Sequence, residues 1–527
     1  MRIGIFGGSF DPVHMEHIRL AESAVKTLAL DKLFVMPAFA PPHKKGKILS
    51  PDHDRLQMCR WAFAGREKIE VSDYEIKKEG TSYTYLTCRY FREKYPNAEL
   101  FWLVGTDMLR NFPTWKNPES ILNDVTLAVC ARNEKVGWAE AEEEKFYERF
   151  GKKFEVIGYN GADVSSTKLR VMAGAGIDLT PYTDEKTAAY IKEKKLYEIP
   201  NAKEALSLEK QSRAAHSLRV AFLAAERAGA LGIPERQAIA AALFHDCGKN
   251  VPIGSPLLKG FRKRKEWGDI PPPVLHQFTG AYLARKAFGV TDEKILDAIR
   301  YHTSGKKKMT ALGKLVFLAD MVEEERAYEG VEVLRELFHE KRKGARGLDK
   351  CLSEALKQTV EFLQKKEAEI YPLTVEACRY YENAEKRDDG KTEDCMENNN
   401  TTSKELALAV CNALSDKRGK DIVCLYVREK TDLCDYFVIA SGSNAPQIKA
   451  MGERVEELIE KDLGLVPSRT EGVRDGRWAV IDYGDVIVHI FNDETRLFYH
   501  LERLWTDGGN LERYDEKTGK LESVSHS

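Results

Sequence analysis

The chain has 527 residues, 43% of them hydrophobic and 31% charged, with 81 Lys and Arg against 83 Asp and Glu. That length exceeds what one hydrophobic core serves, so three or four domains are expected. The near-neutral balance excludes gripping of nucleic acid through a global excess of positive charge, and ten cysteines without a CxxC pair argue against a disulfide framework or a cysteine-rich zinc site.

The opening MRIGIF lacks the basic start, long apolar stretch and cleavage site of a secretory signal and reads as a strand. No apolar run of about 18 residues follows, so no membrane span is expected, and the expected location is cytoplasmic. From 1 to about 199 the strands RIGIF, KLFVMP, LFWLVG, VTLAVCAR and FEVIG alternate with amphipathic stretches such as HIRLAESAVKTL. That alternation predicts an α/β domain, a Rossmann-like parallel sheet with helices on its faces.

The first strand runs into GIFGGSFDPVHMEH, residues 4–17. Gly7 and Gly8, between strand and helix, let backbone amides turn towards an anion at the helix N-terminus. His14 and His17 lie one helical turn apart and point to the same side, so both can reach that anion. GSFDPVHMEH resembles the GxFDPxHxGH signature of nucleotidyltransferases that move an adenylyl group from ATP, and VSSTKLR at 164–170 resembles their second signature, ISSTxIR. PPHK at 41–44, GTSYT at 80–84, GTDM at 105–108 and Trp115 resemble the nicotinate-mononucleotide adenylyltransferases. The resemblance covers residues 1–199 and implies nicotinic acid adenine dinucleotide, an NAD precursor, as product.

Adenylyl transfer by in-line attack of a mononucleotide phosphate needs positioning and charge stabilisation, with no protein nucleophile. The resemblance assigns this to His14, His17, Lys44 and Arg170. Nucleotide and substrate contacts fall to Gly7, Gly8, Ser9, Phe10, His43, Thr84, Gly105, Asp107, Arg132, Ser165, Ser166 and Thr167. Trp115 would stack on the pyridine ring, or is a core tryptophan. Mg²⁺ is implied as the companion of ATP. Glu16 stands where the family has glycine, and a second anion near a triphosphate costs binding unless solvated or paired. A related enzyme acting on phosphopantetheine and a silenced scaffold domain remain as alternatives.

From 200 to 385 the strand signal disappears and helical patterns such as RQAIAAALFHDCG and DEKILDAIRYHTSG take over, predicting an all-α domain. His245 and Asp246 stand together before Gly248, a candidate helix stop. With His216, His276, His302 and Asp320 they supply enough ligands for two metal ions, Asp246 bridging. This order resembles the HD-domain phosphohydrolases, and HDCGK, AIRYHTSGKKKMT and KLVFLADMVEEERAYEGVEVLR resemble the bacterial family that cleaves diadenosine tetraphosphate symmetrically to ADP. The resemblance implies a dinuclear site, iron by family, with Lys249 neutralising phosphate charge and Thr303 and Ser304 contacting phosphate oxygens. A nucleotidase is the competing enzyme reading.

Residues 386–402 are polar and low in aliphatics and read as a linker. The segment 403–510 predicts a small α/β domain with a mixed sheet, and 511–527 a tail. KRGKDIVCLYV, CDYFVIASGSN, EGVRDGRWAVIDYGDVIVHIF and YHLERLW resemble the ribosomal silencing factors, which bind a large-subunit protein and hinder subunit joining. The segment holds 14 basic and 19 acidic residues, which suits a basic protein partner better than RNA. Trp478 and Tyr483 are candidate anchors, with core packing as the other reading of each and a dimerisation module as the other reading of the domain. The chain thus resembles a bifunctional enzyme carrying a translation repressor, with no membrane and no direct DNA partner expected.

Overall fold

A computed structural model describes residues 1–41, 49–132, 138–159, 161–340, 348–389, 403–428, 430–431, 434–463, 465–467, 469–473, 475–506 and 509–523. The chain divides into two compact units, Met1–Lys391 and Thr392–Ser527.

The first unit begins with strands β1 (Arg2–Gly8), β2 (Lys32–Pro37), β3 (Ile69–Val71), β4 (Glu99–Gly105), β5 (Thr126–Arg132) and β6 (Glu155–Tyr159). They form one sheet in the order β3-β2-β1-β4-β5-β6, every pair parallel. Alternate residues serve cores on opposite faces, as the two-residue period of a strand requires. In β4, Phe101 and Leu103 pack with Leu33, Val35 and Ala128 on one face. Leu100, Trp102 and Val104 pack with Ile3, Ile5 and Phe34 on the other. Strand order reverses about β1, between β2 and β4, so the carboxyl ends of β1 and β4 open the crevice where such sheets take ligands.

Beyond residue 200 the unit is helical among the described residues. Helices Gln211–Ala228, Glu235–Phe244, Pro272–Lys286, Glu293–Arg300 and Ala311–Val322 enclose one core. Small residues such as Ala224, Ala228, Ala238 and Ala242, all buried, let helices 211–228 and 235–244 approach closely. Val171, Ala175 and Ile199 of the sheet-bearing region enter this same core. A Cβ at Gly174 would stand 3.1 Å from Ile199 and 3.5 Å from Ile239. The helix Ser166–Gly174 is therefore shared by the α/β and helical regions.

The second unit holds β7 (Lys420–Tyr426), β8 (Tyr436–Gly442), β9 (Arg469–Glu471), β10 (Trp478–Asp482), β11 (Val486–Asn492), β12 (Leu511–Asp515) and β13 (Lys520–Ser523). Their order is β13-β12-β7-β8-β11-β10-β9. Only β8 and β11 are parallel among the described pairs. Helices Ser403–Asp416 and Ala445–Leu463 pack on this mixed sheet. The segment after 510, expected to be a tail, instead forms the edge hairpin β12–β13 as far as Ser523. Tyr514 and Leu521 pack on one core and Leu511 on the other, an alternation that the intervening charged residues obscure in sequence. No helix among the described residues is long and apolar enough to cross a membrane.

Candidate functional site

The turn after β1 is fixed atom by atom. A Cβ at Gly7 would lie 2.8 Å from the Trp102 ring, so glycine is needed there for close approach of the neighbouring strand. The fully buried Arg55 donates from Nη1 to the carbonyls of Ser9 (3.0 Å) and Ala38 (2.6 Å). The Tyr197 hydroxyl donates to the Asp11 carboxylate at 2.6 Å, the Ser166 hydroxyl to the Pro12 carbonyl at 2.9 Å, and the Thr183 hydroxyl to the Val13 carbonyl at 2.8 Å. Phe10, within this turn, takes a positive φ of 46°.

The turn delivers His14 as N-cap of the helix Met15–Thr27. The two histidine rings stack with centroids 3.7 Å apart, and the His14 N–H donates to Nδ1 of His17 at 3.2 Å. A neutral His17 therefore carries its proton on Nε2, where it can donate to an anion. Glu16 is 3% exposed and paired with Arg19 at 2.8 Å, so its negative charge is compensated.

The second motif closes on the first. Ser165 caps the helix Ser166–Gly174 by accepting from the Lys168 N–H at 3.2 Å. Arg170 donates from Nη1 to the Asp11 carbonyl and from Nη2 to the Thr167 hydroxyl at 3.0 Å. Its Nε and Nη2 grip both oxygens of Glu235, at the start of a helix in the helical region. Burial opposes the Arg170 charge, but the Glu235 carboxylate outweighs it and raises the pKa.

Gly105 ends β4 and the exposed Asp107 lies in the helix Thr106–Asn111. Thr84 opens the helix Thr84–Lys94. Trp115 is buried beside Phe112, ring centroids 5.3 Å apart, in the core that also holds Trp102. His43 and Lys44 lie outside the described residues, as does the side chain of Arg132 at the end of β5.

The second constellation sits where five helical segments meet. His216 comes from the helix 211–228, His245 and Asp246 follow the helix 235–244, and His276 rides on 272–286. His302 follows 293–300, and Asp320 lies on 311–322. Gly248 has no positive φ and is not a left-handed stop. A Cβ there would lie 2.5 Å from the Gly280 nitrogen and 2.7 Å from the His276 carbonyl, so glycine lets the His245–Asp246 turn press onto the helix bearing His276.

Four imidazoles are oriented alike. Nδ1 of His245, His276 and His302 faces the carbonyls of Ala242 (2.6 Å), Pro273 (2.8 Å) and Ile299 (2.8 Å). Nδ1 of His216 faces Glu323 at 3.0 Å. An imidazole nitrogen facing an acceptor carries the ring proton, so each Nε2 presents a lone pair inward. Nε2 of His276 lies 3.0 Å from Nε2 of His302 and 3.1 Å from Asp246, while Nε2 of His216 lies 2.9 Å from Asp320.

Burial pushes His245 and His276 down to about 4, against the pull of Asp246. Both are therefore neutral near pH 7. Among the described residues, only the Thr303 hydroxyl and Lys249 bring protons to His276, at 3.1 Å each, and Nε2 of the fully buried His245 has no hydrogen-bond partner. Inward-facing Nε2 lone pairs gathered with two carboxylates fit a divalent metal, and three overlapping triads of these residues each bring ligand atoms within 4.8 Å.

Ser304 is fully buried, its hydroxyl held by Gln277 at 2.9 Å, which leaves Thr303 as the hydroxyl at the cluster. Several neighbours were not singled out in sequence. Arg213 pairs with Asp246 at 3.1 Å, Arg326 pairs with Asp320, and Glu323 orients His216. Arg213 and Glu323 each stand three residues from a ligand, a spacing that could have drawn attention to them. Arg55, Tyr197 and Glu235 carry no such signal.

In the second unit, Trp478 stacks on Phe491 with centroids 4.9 Å apart and donates to His489 at 3.3 Å. Tyr483 is partly buried against the larger core. Exposed apolar surface lies elsewhere, at Leu497, Phe498 and Leu504.

A parallel sheet with a phosphate-type turn beside a helical histidine–aspartate cluster defines a two-site nucleotide enzyme. Residues 5–172 match the cytidylyltransferase-like family, 213–325 the HD domain, and 400–526 the family "ribosomal silencing factor during starvation". A "probable nicotinate-nucleotide adenylyltransferase/Ap4A hydrolase" of Mycoplasma genitalium is 30% identical over 338 residues, 63% of this chain and 91% of that protein. A "probable nicotinate-nucleotide adenylyltransferase" of Clostridium tetani is 36% identical over 194 residues, 37% of this chain and 97% of that protein. The crystal structure of a "predicted HD superfamily hydrolase involved in NAD metabolism" from Clostridium acetobutylicum is 30% identical, covers 35% of this chain and 95% of that one, and has a TM-score of 0.31. The chain belongs to the nicotinate-nucleotide adenylyltransferase/Ap4A hydrolase family, joined here to a segment that matches the ribosomal silencing factors.

Proposed function

We propose that the first unit performs two reactions on adenine nucleotides. At the β1 turn, nicotinate mononucleotide attacks the α-phosphorus of ATP, giving nicotinic acid adenine dinucleotide and pyrophosphate, with Mg²⁺ accompanying the triphosphate. His17 donates from Nε2 to a phosphate oxygen, His14 stacks on it, and the helix N-terminus at Ser166 and Thr167 offers amides to the anion. Lys44, His43 and Arg132 complete the phosphate and base contacts in this reading.

At the histidine–aspartate cluster we propose symmetrical hydrolysis of diadenosine tetraphosphate to ADP. His216, His245, Asp246, His276, His302 and Asp320 would hold a pair of divalent ions, iron by resemblance. Such a pair supplies Lewis acidity and a water of lowered pKa. Thr303 orients a phosphate oxygen and Lys249 balances the charge that develops on it. The convergence of four Nε2 atoms on two carboxylates is the observation that carries this reading. The second unit is read as a silencing module that docks on a protein of the large ribosomal subunit, consistent with a cytoplasmic location.

Pyrophosphate release from ATP and Mg²⁺, with nicotinate mononucleotide, its amide and phosphopantetheine offered separately, tests the first reaction. Transfer to the acid form alone is expected, and transfer to another acceptor would replace that substrate. Iron-loaded chain given diadenosine tetraphosphate or AMP tests the second. Preferential hydrolysis of AMP would make the cluster a nucleotidase.

A further inference from the structure

We propose that Glu235 is a positioning residue for adenylyl transfer, supplied to the α/β site by the helical region. From the start of its helix it fixes the guanidinium of Arg170 and, through it, the main chain of the turn bearing His14 and His17. The kinetic part of this proposal rests on the adenylyltransferase reading; the structural part does not.

Arg170 has five N–H donors. Nε and one Nη2 hydrogen go to the two oxygens of Glu235, the other Nη2 hydrogen to Thr167, and one Nη1 hydrogen to the Asp11 carbonyl. Four donors are thereby committed among the described residues, and one on Nη1 is available to a phosphate. The side chains are 14% and 17% exposed, so the two-point contact is mostly shielded from water and orients the guanidinium more firmly than a surface ion pair would. Pro234 precedes Glu235 as helix N-cap, restricting the backbone, and the helix dipole favours a carboxylate at this end.

The held group bears on the site directly. Arg170 supports the Asp11 carbonyl, Ser166 the Pro12 carbonyl and Thr183 the Val13 carbonyl, so the three residues before His14 hang from hydroxyl and guanidinium donors. Among the described residues, Arg170 is the one of these supports anchored in turn by a carboxylate from beyond residue 200. Without Glu235 its long side chain regains rotamer freedom, and the support under Asp11 is lost for part of the time.

The test compares the full chain with Glu235→Ala and the near-isosteric Glu235→Gln. Amide hydrogen exchange of residues 9–17 should accelerate about tenfold in the alanine variant and less in the glutamine variant, which keeps one acceptor for Arg170. Exchange in residues 272–286 should stay unchanged, marking an intact helical region. In pyrophosphate release, Glu235→Ala should lower kcat/KM about tenfold, with partial rescue by glutamine. Its loss should not add to that of Arg170→Ala, because both act through one guanidinium.

Unchanged exchange in residues 9–17, or additive kinetic losses, would overturn the proposal. If the unaltered chain transfers no adenylyl group, the adenylyltransferase reading falls, and the exchange measurement still decides the role of Glu235.

Discussion

Oε1 of Glu323 lies 3.0 Å from Nδ1 of His216, whose Nε2 lies 2.9 Å from Asp320. The carboxylate fixes both the tautomer and the plane of the ring, and Arg219 at 2.6 Å fixes the carboxylate. Glu323→Ala should therefore weaken metal binding by about 10- to 100-fold without removing a ligand. Metal content after dialysis against graded chelator reads this directly, and an unchanged affinity would reduce Glu323 to a structural partner of Arg219.

Without a bound cation, Nε2 lone pairs stand opposed to one another and to two carboxylates. A ligand that binds only the folded state at about a thousandfold excess over its Kd contributes about 4 kcal/mol. Chelation should accordingly lower the Tm of the unit spanning Met1–Lys391 by several degrees, followed by calorimetry with and without added metal. An identical Tm would mean that the cluster is held by its own hydrogen bonds.

Glu16 depends on Arg19. One carboxylate oxygen meets that guanidinium, and Oε2 is buried without a hydrogen-bond partner among the described residues. Arg19→Ala should reduce pyrophosphate release and lower the Tm by a few degrees, since a buried acceptor left unpaired costs about 1–3 kcal/mol. Glu16→Gly in the same chain should restore both. Persistence of the defect in the double variant would assign Arg19 a role of its own.

His489 gives the second unit an acid-sensitive point. Burial pushes its pKa down from about 6.5 to about 4, and it accepts from the Trp478 indole. The unfolded chain then binds the proton more readily than the folded one between those values. Stability is unaffected above pH 6.5 and falls as pH drops towards 4, by on the order of 3 kcal/mol in full. Hydrogen exchange of residues 478–492 across that range should show the loss. His489→Asn, which keeps an acceptor for the indole, should flatten the dependence, and an equal slope in both proteins would refute this assignment.

Phe498 is 78% exposed, with Leu497 and Leu504 also exposed. Phe498→Ser removes no core contact, so it should leave the Tm unchanged while reducing cosedimentation with large ribosomal subunits about tenfold if this face meets the partner. Full cosedimentation would move the contact elsewhere on the unit.

The parallel sheet was legible because its longer strands are mostly apolar, whereas the three-residue β3, with an exposed Glu70, was not among the expected strands; the histidine–aspartate cluster was legible because its residue types are distinctive and occur in a known order. What sequence could not display is support from afar. Arg55 reaches Ser9 across 46 positions, Tyr197 reaches Asp11 across 186, and Glu235 reaches Arg170 across 65, and no periodicity encodes such pairings. The hairpin β12–β13 was missed for a different reason: its few apolar residues sit among charged ones and resemble solvated coil. Gly248 was read as a conformational device, although its task is to leave room for a neighbouring backbone.

The core shared by Val171, Ala175, Ile199 and the helices beyond residue 200 bears on how the two activities can be dissected. A chain cut near residue 199 would carry an apolar scar on the back of its own phosphate-motif helix, and exposed apolar surface of that kind invites aggregation. Loss of activity in such a fragment would report insolubility as readily as missing chemistry. Single substitutions in the intact polypeptide, one at each centre, separate the two activities cleanly where scissors would not.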